Sequence, residues 1–558
     1  MDNYAIADNF ALLGKLMDIH GENSFKAKSY AAAAFTIEKL PSQLIEMPLD
    51  KIASIRGIGE SIAKNIAEQL QTGSMALLQE YIQKTPEGIL TMMSIKGIGP
   101  KKIATIWKEL EIETIGELLY ACNENRLANY KGFGAKSQQN IKEAIEFFMG
   151  SQGSYLYQQL ESFTTEMTQL LSKAFPDFLF EVTADYRRQL EIITSISWIT
   201  TAPKDLLTKY FSTVECTFSE PENDHLVVES TAPVPLHFHI ATAENFGTVL
   251  FKTTGPSSFL EAFEKETSLN ISSSFASEQD LFQAAQLTFI PPFRRDDASI
   301  VLKAKNKNIK ACIQTSDIKG IIHSHSNWSD GAVTLEAMAI AAKERGLEYL
   351  VISDHSQTAF YANGLREDRI RAQHQQIDEL NKKLAPFRIY KSIESDILND
   401  GSLDYDDEVL ASFDLVIASI HSNLKMTEEK AMMRLMNAIE NPYTSILGHM
   451  TGRLLLSRGG YPVNHELIID ACVANDVVIE LNAHPRRLDI DWRWIDKAVD
   501  KGVLISINPD AHSIEGYDDC KYGVLVAQKA GLTKYQNLSS YDRSEFESFL
   551  MDQHQKRG

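Results

Sequence analysis

KGIIHSH, residues 319–325, followed by EYLVISDH at 348–355, sets the pattern for the carboxyl-terminal part of the chain. Both are apolar runs too short for helices, rich in Ile and Val, and closed by histidine. Five more follow: YKSIESDI (390–397), DLVIASIH (414–421), TSILGH (444–449), VVIELNAH (477–484) and VLISINPDAH (503–512). Between most of them lie stretches of helical periodicity, such as LEAMAIAAKERG from Leu335 to Gly346 and NHELIIDACVAND from Asn464 to Asp476. Seven strands alternating with helices predict a parallel barrel or open sheet with helices outside. In such folds the loops at the carboxyl ends of the strands form one rim, where residues distant in sequence converge.

Nine ligand-type residues fall on that rim: His323, His325, Asp330, His355, Glu394, His421, His449, Asp510 and His512. A single such histidine is more often a hydrogen-bonded core residue, but nine ligand types at successive strand ends point to a common site. Imidazole mixed with carboxylate suits Zn, Mn or Fe better than Mg or Ca. The set is large enough for three divalent ions. Clustered divalent ions polarise a phosphoryl oxygen, activate water and neutralise a departing oxyanion, so the expected chemistry is hydrolysis of a phosphate ester.

An internal repeat occupies the amino-terminal part: RGIGESIAKNI from Arg56, KGIGPKKIATI from Lys96 and KGFGAKSQQNI from Lys131. Each places a basic residue before Gly-apolar-Gly and opens a helical pattern directly after it. Paired glycines let the backbone approach a phosphate, and the helix start presents free amides and a positive dipole end. Gly57, Gly59, Gly97, Gly99, Gly132 and Gly134, with Lys101, Lys102 and Lys136, are therefore the candidate phosphate-contacting residues. A helix cap used only for packing is the competing reading of any one copy.

At 558 residues the chain is expected to form three or four domains, divided at about 1–150, 151–315 and 316–558. The formal net charge of −20 argues against a broad basic surface that coats nucleic acid, so any DNA contact is local. The five cysteines, Cys122, Cys216, Cys312, Cys472 and Cys520, have no metal spacing and suit a reducing compartment, so the cytoplasm is expected. No leader pattern or membrane-length apolar run is seen, and no membrane partner is expected.

Resemblances to known families follow from these segments. HSHSNWSDG, SDH, IESDILNDGSLDY, ASIHS, GHMTGRLL and NPDAH resemble the successive motifs of PHP (polymerase and histidinol phosphatase) domains, from about Ile318 to Asn537. That resemblance implies a distorted (β/α)7 barrel with a trinuclear centre. His323, His325 and Asp510 would hold one ion, His421 and His449 a second, and Asp330, His355 and His512 a third, with Glu394 bridging the first two. Met450 stands where related sequences have proline, and Arg453 is the candidate contact for a substrate phosphate.

The repeats resemble helix-hairpin-helix motifs, which grip the DNA backbone without reading sequence. SFKAKSYAAAAFTIEKLP and IRGIGESIAKNIAEQLQTGSM resemble the small amino-terminal domain of family X DNA polymerases. Ser61 occupies the position of that family's lyase lysine, and Lys64 lies one helical turn on, so little or no lyase activity is expected.

VTADYRRQLEIITSISWIT resembles the nucleotidyltransferase signature of the same polymerases, implying a palm-like middle region. Arg187 and Arg188 remain, but Ala184-Asp185 replaces Gly-Ser, Ser195-Ile196-Ser197 replaces Asp-x-Asp, and His237 is the best match to the third carboxylate. Serine hydroxyls do not replace two carboxylates around Mg, so polymerase activity is expected to be absent. The middle region then either holds DNA, through Arg187, Arg188, Lys252, Arg294 and Arg295, or serves as a spacer.

The whole order resembles bacterial family X DNA polymerases. It implies a metal-dependent 3'-5' exonuclease acting on DNA ends in base excision repair, with a separate repair polymerase as partner. The alternatives are an active polymerase with exonuclease, a small-molecule phosphatase, and a non-catalytic DNA-binding scaffold.

Overall fold

The computed structural model describes residues 2–557 except 96, 124–126, 129, 152, 360–361 and 457–458. Lys96, the basic residue of the second repeat, lies outside the described residues. The chain forms two compact units, residues 1–152 and 153–558. Among the described residues no helix is long and apolar enough to cross a membrane.

The first unit is helical and has two apolar cores. One gathers Phe10, Leu13, Tyr30, Ile37, Ile66 and Leu78. The other gathers Ile89, Ile103, Ile106, Leu118, Ile141 and Ile145. The repeats share one turn: Gly57, Gly97 and Gly132 take φ of 93°, 94° and 94°, a left-handed conformation that glycine adopts without steric cost. The apolar residue of the first two turns, Ile58 or Ile98, is buried and anchors its hairpin. The helices Glu60–Thr72, Pro100–Lys108 and Ala135–Ser151 follow the three turns.

The second unit contains a five-stranded sheet, a seven-stranded sheet and the small antiparallel pair Tyr155–Leu156 with Ile192–Ile193. Strands β1 (Phe180–Thr183), β2 (Ile196–Thr200), β3 (Cys216–Glu222), β4 (His225–Ser230) and β5 (Leu236–Ile240) form a mixed sheet in the order β1-β2-β5-β4-β3. Trp198 and Phe238 pack into its core, and by strand alternation Ser197 and His237 point to the opposite face.

The barrel strands are β6 (Gly320–Ile321), β7 (Tyr349–Ile352), β8 (Arg388–Asp396), β9 (Leu415–Ser419), β10 (Ile446–Leu447), β11 (Val478–Asn482) and β12 (Ile505–Asn508). They pair in parallel and in sequential order, as the alternation of strand and helix predicts. A parallel bridge between Ser324 and Ala511 nearly closes the barrel at the rim. At the amino-terminal end of the strands, Leu538, Phe546 and Leu550 cover Tyr349, Tyr390, Leu415 and Ile417. The carboxyl-terminal helix Arg543–Lys556 therefore plugs that end. The opposite rim is left for chemistry.

Candidate metal centre

All nine rim residues converge. His323 and His325 follow β6, His355 follows β7, Glu394 lies in β8, His421 follows β9, His449 follows β10, and Asp510 and His512 follow β12. Glu394 is central: its Oε1 lies 3.0 Å from His449 Nε2, 3.1 Å from His421 Nε2 and 3.2 Å from His323 Nε2. Its Oε2 lies 3.0 Å from His355 Nδ1 and 3.7 Å from His325 Nε2. Asp510 Oδ1 is 3.1 Å from His325 Nε2 and 3.5 Å from His323 Nε2. Asp330 faces His512 at 3.4 Å, His355 at 3.7 Å and His325 at 4.0 Å.

Among the described residues three sets of donor atoms are close enough to hold an ion: His323–His325–Asp510, His355–Glu394–His421, and His325–Asp330–His355–His512. The grouping differs in detail from the one the sequence resemblance implies, because His355 sits beside Glu394 and His325 beside Asp330.

The donor set fits divalent ions. Buried His323 Nε2, His325 Nδ1 and Glu394 Oε2 make no hydrogen bond, although each faces another ligand-type atom. Bonds of about 2.0–2.2 Å to a common ion separate its donors by about 3.0–3.5 Å, which matches most of the spacings around Glu394 and Asp510. Desolvation, with His512 and His355 nearby, pushes His325 down to about 3, so it is a neutral imidazole, the form that ligates metals. Against desolvation, Glu394 and Asp396 hold His421 up at about 10. His323 and Asp510 take φ of 65° and 53°, rare for residues with side chains, and such strain concentrates at functional sites.

Sequence reasoning missed the groups that orient the ligands. Glu480, fully buried in β11, accepts from His323 Nδ1 at 2.6 Å, Asn508 Nδ2 at 2.8 Å and the His449 amide at 3.0 Å. Asp396 holds His421 Nδ1 at 2.5 Å, and the Asp510 carbonyl lies 2.9 Å from His512 Nδ1. Fixing the second ring nitrogen in this way sets tautomer and orientation. Asp354 accepts from the Ser326 amide and hydroxyl, the Ser329 hydroxyl and the Gln373 amide at 2.5–2.8 Å, pinning the loop that carries Asp330. The signal for Glu480 was a carboxylate inside the apolar run VVIELN.

The centre opens on one side. His323 and His325 side chains are 0% exposed, Asp330 is 28% and His512 is 42%, so the mouth lies at the Asp330–His512 edge.

The expectation for Arg453 needs correction. Its guanidinium donates to Asp491 at 2.7 Å, to the Arg487 carbonyl at 2.9 Å and to the Leu488 carbonyl. It braces the loop after β11 rather than facing a substrate. Arg487 on that loop is the cation at the centre, its Nε 3.6 Å from Asp510 Oδ2.

In the first unit Gly59 and Gly99 sit at the starts of helices that have no side-chain cap, and their φ values of −81° and −80° suit any residue. A Cβ at either would meet nothing within 4 Å. Neither packing nor dihedral demands glycine there; its preference at helix N-caps and the room it leaves for a partner both fit the position. Lys101 and Lys136 are exposed, whereas Lys102 donates to Ser137 at 2.8 Å.

In the mixed sheet Ser197 of β2 pairs in register with His237 of β5, so two positions that the resemblance matches to carboxylates lie side by side. His237 Nδ1 lies 3.0 Å from His225 Nε2. Most of the arginines considered for DNA have structural partners instead. Arg187 and Arg295 both pair with buried Glu278, at 2.9 and 2.5 Å, and Arg188 pairs with Asp296 at 2.8 Å. Arg295 is fully buried among the rings of Phe251, Phe259, Phe282 and Phe289.

Comparison with known proteins adds relatives for both units. Residues 1–75 match the helix-hairpin-helix domain family and residues 89–146 the SAM-like helix-hairpin-helix tandem family. A probable phosphatase of Thermoanaerobacter sp. (strain X514) is 26% identical over 253 residues, covering 42% of this chain and 96% of that protein. One from Caldanaerobacter subterraneus subsp. tengcongensis is 28% identical over 207 residues, 34% of this chain and 74% of that protein. The DNA polymerase/3'-5' exonuclease PolX of Bacillus subtilis (strain 168) is 33% identical over 562 residues, spanning 96% of each chain. With hairpin turns in its first unit, a mixed sheet and a seven-stranded parallel barrel in its second, and that identity along nearly its full length, the chain belongs to the PolX family.

Proposed function

We propose that the chain is a DNA-end-processing phosphodiesterase, a metal-dependent 3'-5' exonuclease of DNA repair, whose polymerase-like sheet does not polymerise. The carrying observation is the convergence of eight ligand-type side chains about Glu394 at the open end of the barrel. The 3'-5' exonuclease named for the Bacillus subtilis relative supports the reading.

Divalent ions held there, three in number and Mn or Zn before Fe, would supply water activation and charge neutralisation. The ligand residues named above would hold them. Glu480 and Asp396 fix the His323 and His421 rings, so the site is organised before substrate arrives. Arg487 would bind a non-bridging oxygen of the scissile phosphate, and Arg453 would keep its loop in place. The DNA end would enter at the Asp330–His512 edge. The hairpin turns of the first unit would hold the backbone through the uncapped amides that follow Gly59 and Gly99.

Loss of polymerisation is supported by Ser195, Ser197 and His237 at the positions of the family's carboxylates, because two Mg ions need stronger ligands. A separate polymerase would then refill what this chain removes, and the cytoplasm is the place we assign it. The second reading, an active polymerase with exonuclease, is favoured by the full name of the Bacillus subtilis relative.

Incubating the protein with Mn and an end-labelled primer-template, with and without deoxynucleotides, separates the two. Shortening of the primer that a His323→Ala/Asp510→Ala variant lacks, without extension, is the expected result. Extension by the parent chain would overturn the loss of polymerisation, and no change in primer length would overturn the nuclease.

A further inference from the structure

A buried arginine beside a cavity lies in the same unit, away from the metal centre. Arg294 is 7% exposed, its Nε is buried without a hydrogen-bond partner, and among the described residues its guanidinium donates to no oxygen. Every other arginine of the mixed-sheet region is ion-paired: Arg187 and Arg295 to Glu278, Arg188 to Asp296. The Cys312 thiol beside Arg294 is a weak acceptor.

Arg294 lies across Gly531, where a Cβ would fall 1.4 Å from its Nη1. Gly531 ends the helix Cys520–Ala530, but the Ala527 and Gln528 carbonyls at that end already accept from the Leu532 and Gly531 amides. A buried Nε without an acceptor is costly, and among the described residues the guanidinium has no carboxylate to balance its charge, which favours an anion beside it.

The guanidinium lines a cavity of about 230 Å³ with Lys303, Lys310, Asn308 and Gln536. Two carboxylates, Asp496 and Asp500, share the wall, and Asp496 is neutralised by Lys303 at 2.8 Å. Cations therefore exceed carboxylates, and a planar fork beside an ammonium suits a tetrahedral oxyanion. Lys310 and Gln536 also line an adjoining groove of about 680 Å³ that holds Tyr535, a ring 77% exposed with the Lys534 ammonium 5.3 Å from its centroid. An exposed aromatic next to a phosphate-type cavity is the surface on which a base stacks.

The walls fix which end of the barrel this is. Helix Trp492–Asp500 runs back from the rim after β11, and its last residues, Val499 and Asp500, precede β12, so the cavity lies toward the amino-terminal strand ends. It is separate from the metal centre.

We propose that this cavity binds the phosphate of a nucleoside monophosphate, with Arg294 and Lys310 on the phosphate and Tyr535 against the base.

The test is calorimetric titration of the full chain kept in EDTA with three probes: dAMP, inorganic phosphate and deoxyadenosine. The expected result is one saturable site for dAMP, weaker binding of phosphate and none of deoxyadenosine, unchanged by His323→Ala. Losing the charged contacts in Arg294→Gln should weaken dAMP by about tenfold or more. Exposed Lys310→Gln should weaken it in the same direction and carries the test if the buried substitution unfolds the chain. Tyr535→Ala should weaken dAMP but leave phosphate unchanged. No saturable binding, or unchanged affinity in the Arg294 and Lys310 variants, would overturn the site. Phosphate binding as tightly as dAMP, with Tyr535→Ala without effect, would overturn the nucleoside assignment and leave a site for the free anion. Because the chelated chain is used, this outcome is independent of the nuclease reading.

Discussion

At the scale of single residues, Glu480 is the test of how the centre is organised. Glu480→Gln keeps the volume of the side chain but weakens the 2.6 Å contact that fixes His323, so metal affinity should fall by about 10–100-fold with little change in fold. Metal-buffered titration reads this directly, and unchanged affinity would mean that the carboxylate is only structural. The two arginines after β10 and β11 should separate by readout. Arg487→Ala should lower kcat/KM on DNA while leaving the melting temperature near the parent value. Arg453→Ala should lower stability by about 1–3 kcal/mol, because it holds two carbonyls and Asp491. Most of the ligand-type residues could be read in the sequence because they follow short strands, whereas Glu394 lies within β8 and Asp330 on the loop after His325. Glu480 stands out as a carboxylate inside an apolar run, but its partner His323 lies far along the chain, and Arg453 was misread because the sequence does not show which carbonyls surround a guanidinium.

At the scale of elements, the buried Glu278 joins the helix Glu278–Ala284 to Arg187 and Arg295. Glu278→Gln leaves fully buried Arg295 without a counter-charge and Arg187 with only the exposed Glu181, and should cost about 3–5 kcal/mol in chemical denaturation. Burial alone would raise this carboxyl, but Arg295 and Arg187 overcome it and hold the group below its ordinary value of 4.5. A depressed carboxyl stabilises the fold above its unfolded pKa, so its contribution is complete above about pH 4.5 and is lost as the pH falls through the lower folded value. A Glu278→Gln chain should therefore show a flatter loss of stability on acidification than the parent.

The hairpin turns give a paired prediction. Gly59→Ala, at φ −81° in open space, should weaken DNA binding in fluorescence anisotropy with only a small loss of stability. Gly57→Ala, at φ +93°, should destabilise the first unit by about 1–2 kcal/mol as well. Equal DNA affinity in Gly59→Ala would remove that turn from the interface. The turns were legible as a Gly-apolar-Gly repeat, whereas the ion pairs of Arg187, Arg188 and Arg295 were not, because their partners Glu278 and Asp296 lie far along the chain.

For the whole molecule, the order of parts was legible because each carries a local pattern: glycine repeats for the hairpins, alternating strands and helices for the barrel. Less legible was the mixed sheet. Its functional reading depends on residues that are missing, and the pairing of Ser197 with His237 becomes visible only in the register of β2 and β5. The central claim is that the rim of the barrel is a divalent-metal hydrolytic centre acting on DNA ends. Stripping the chain with EDTA, adding Mn or Zn back in steps, and measuring bound metal beside 3'-5' shortening of a labelled strand tests it most directly. The account expects no shortening without metal, and recovery that rises with occupancy to three ions per chain. Full shortening by metal-free protein, or recovery that His323→Ala/Asp510→Ala leaves intact, would contradict it.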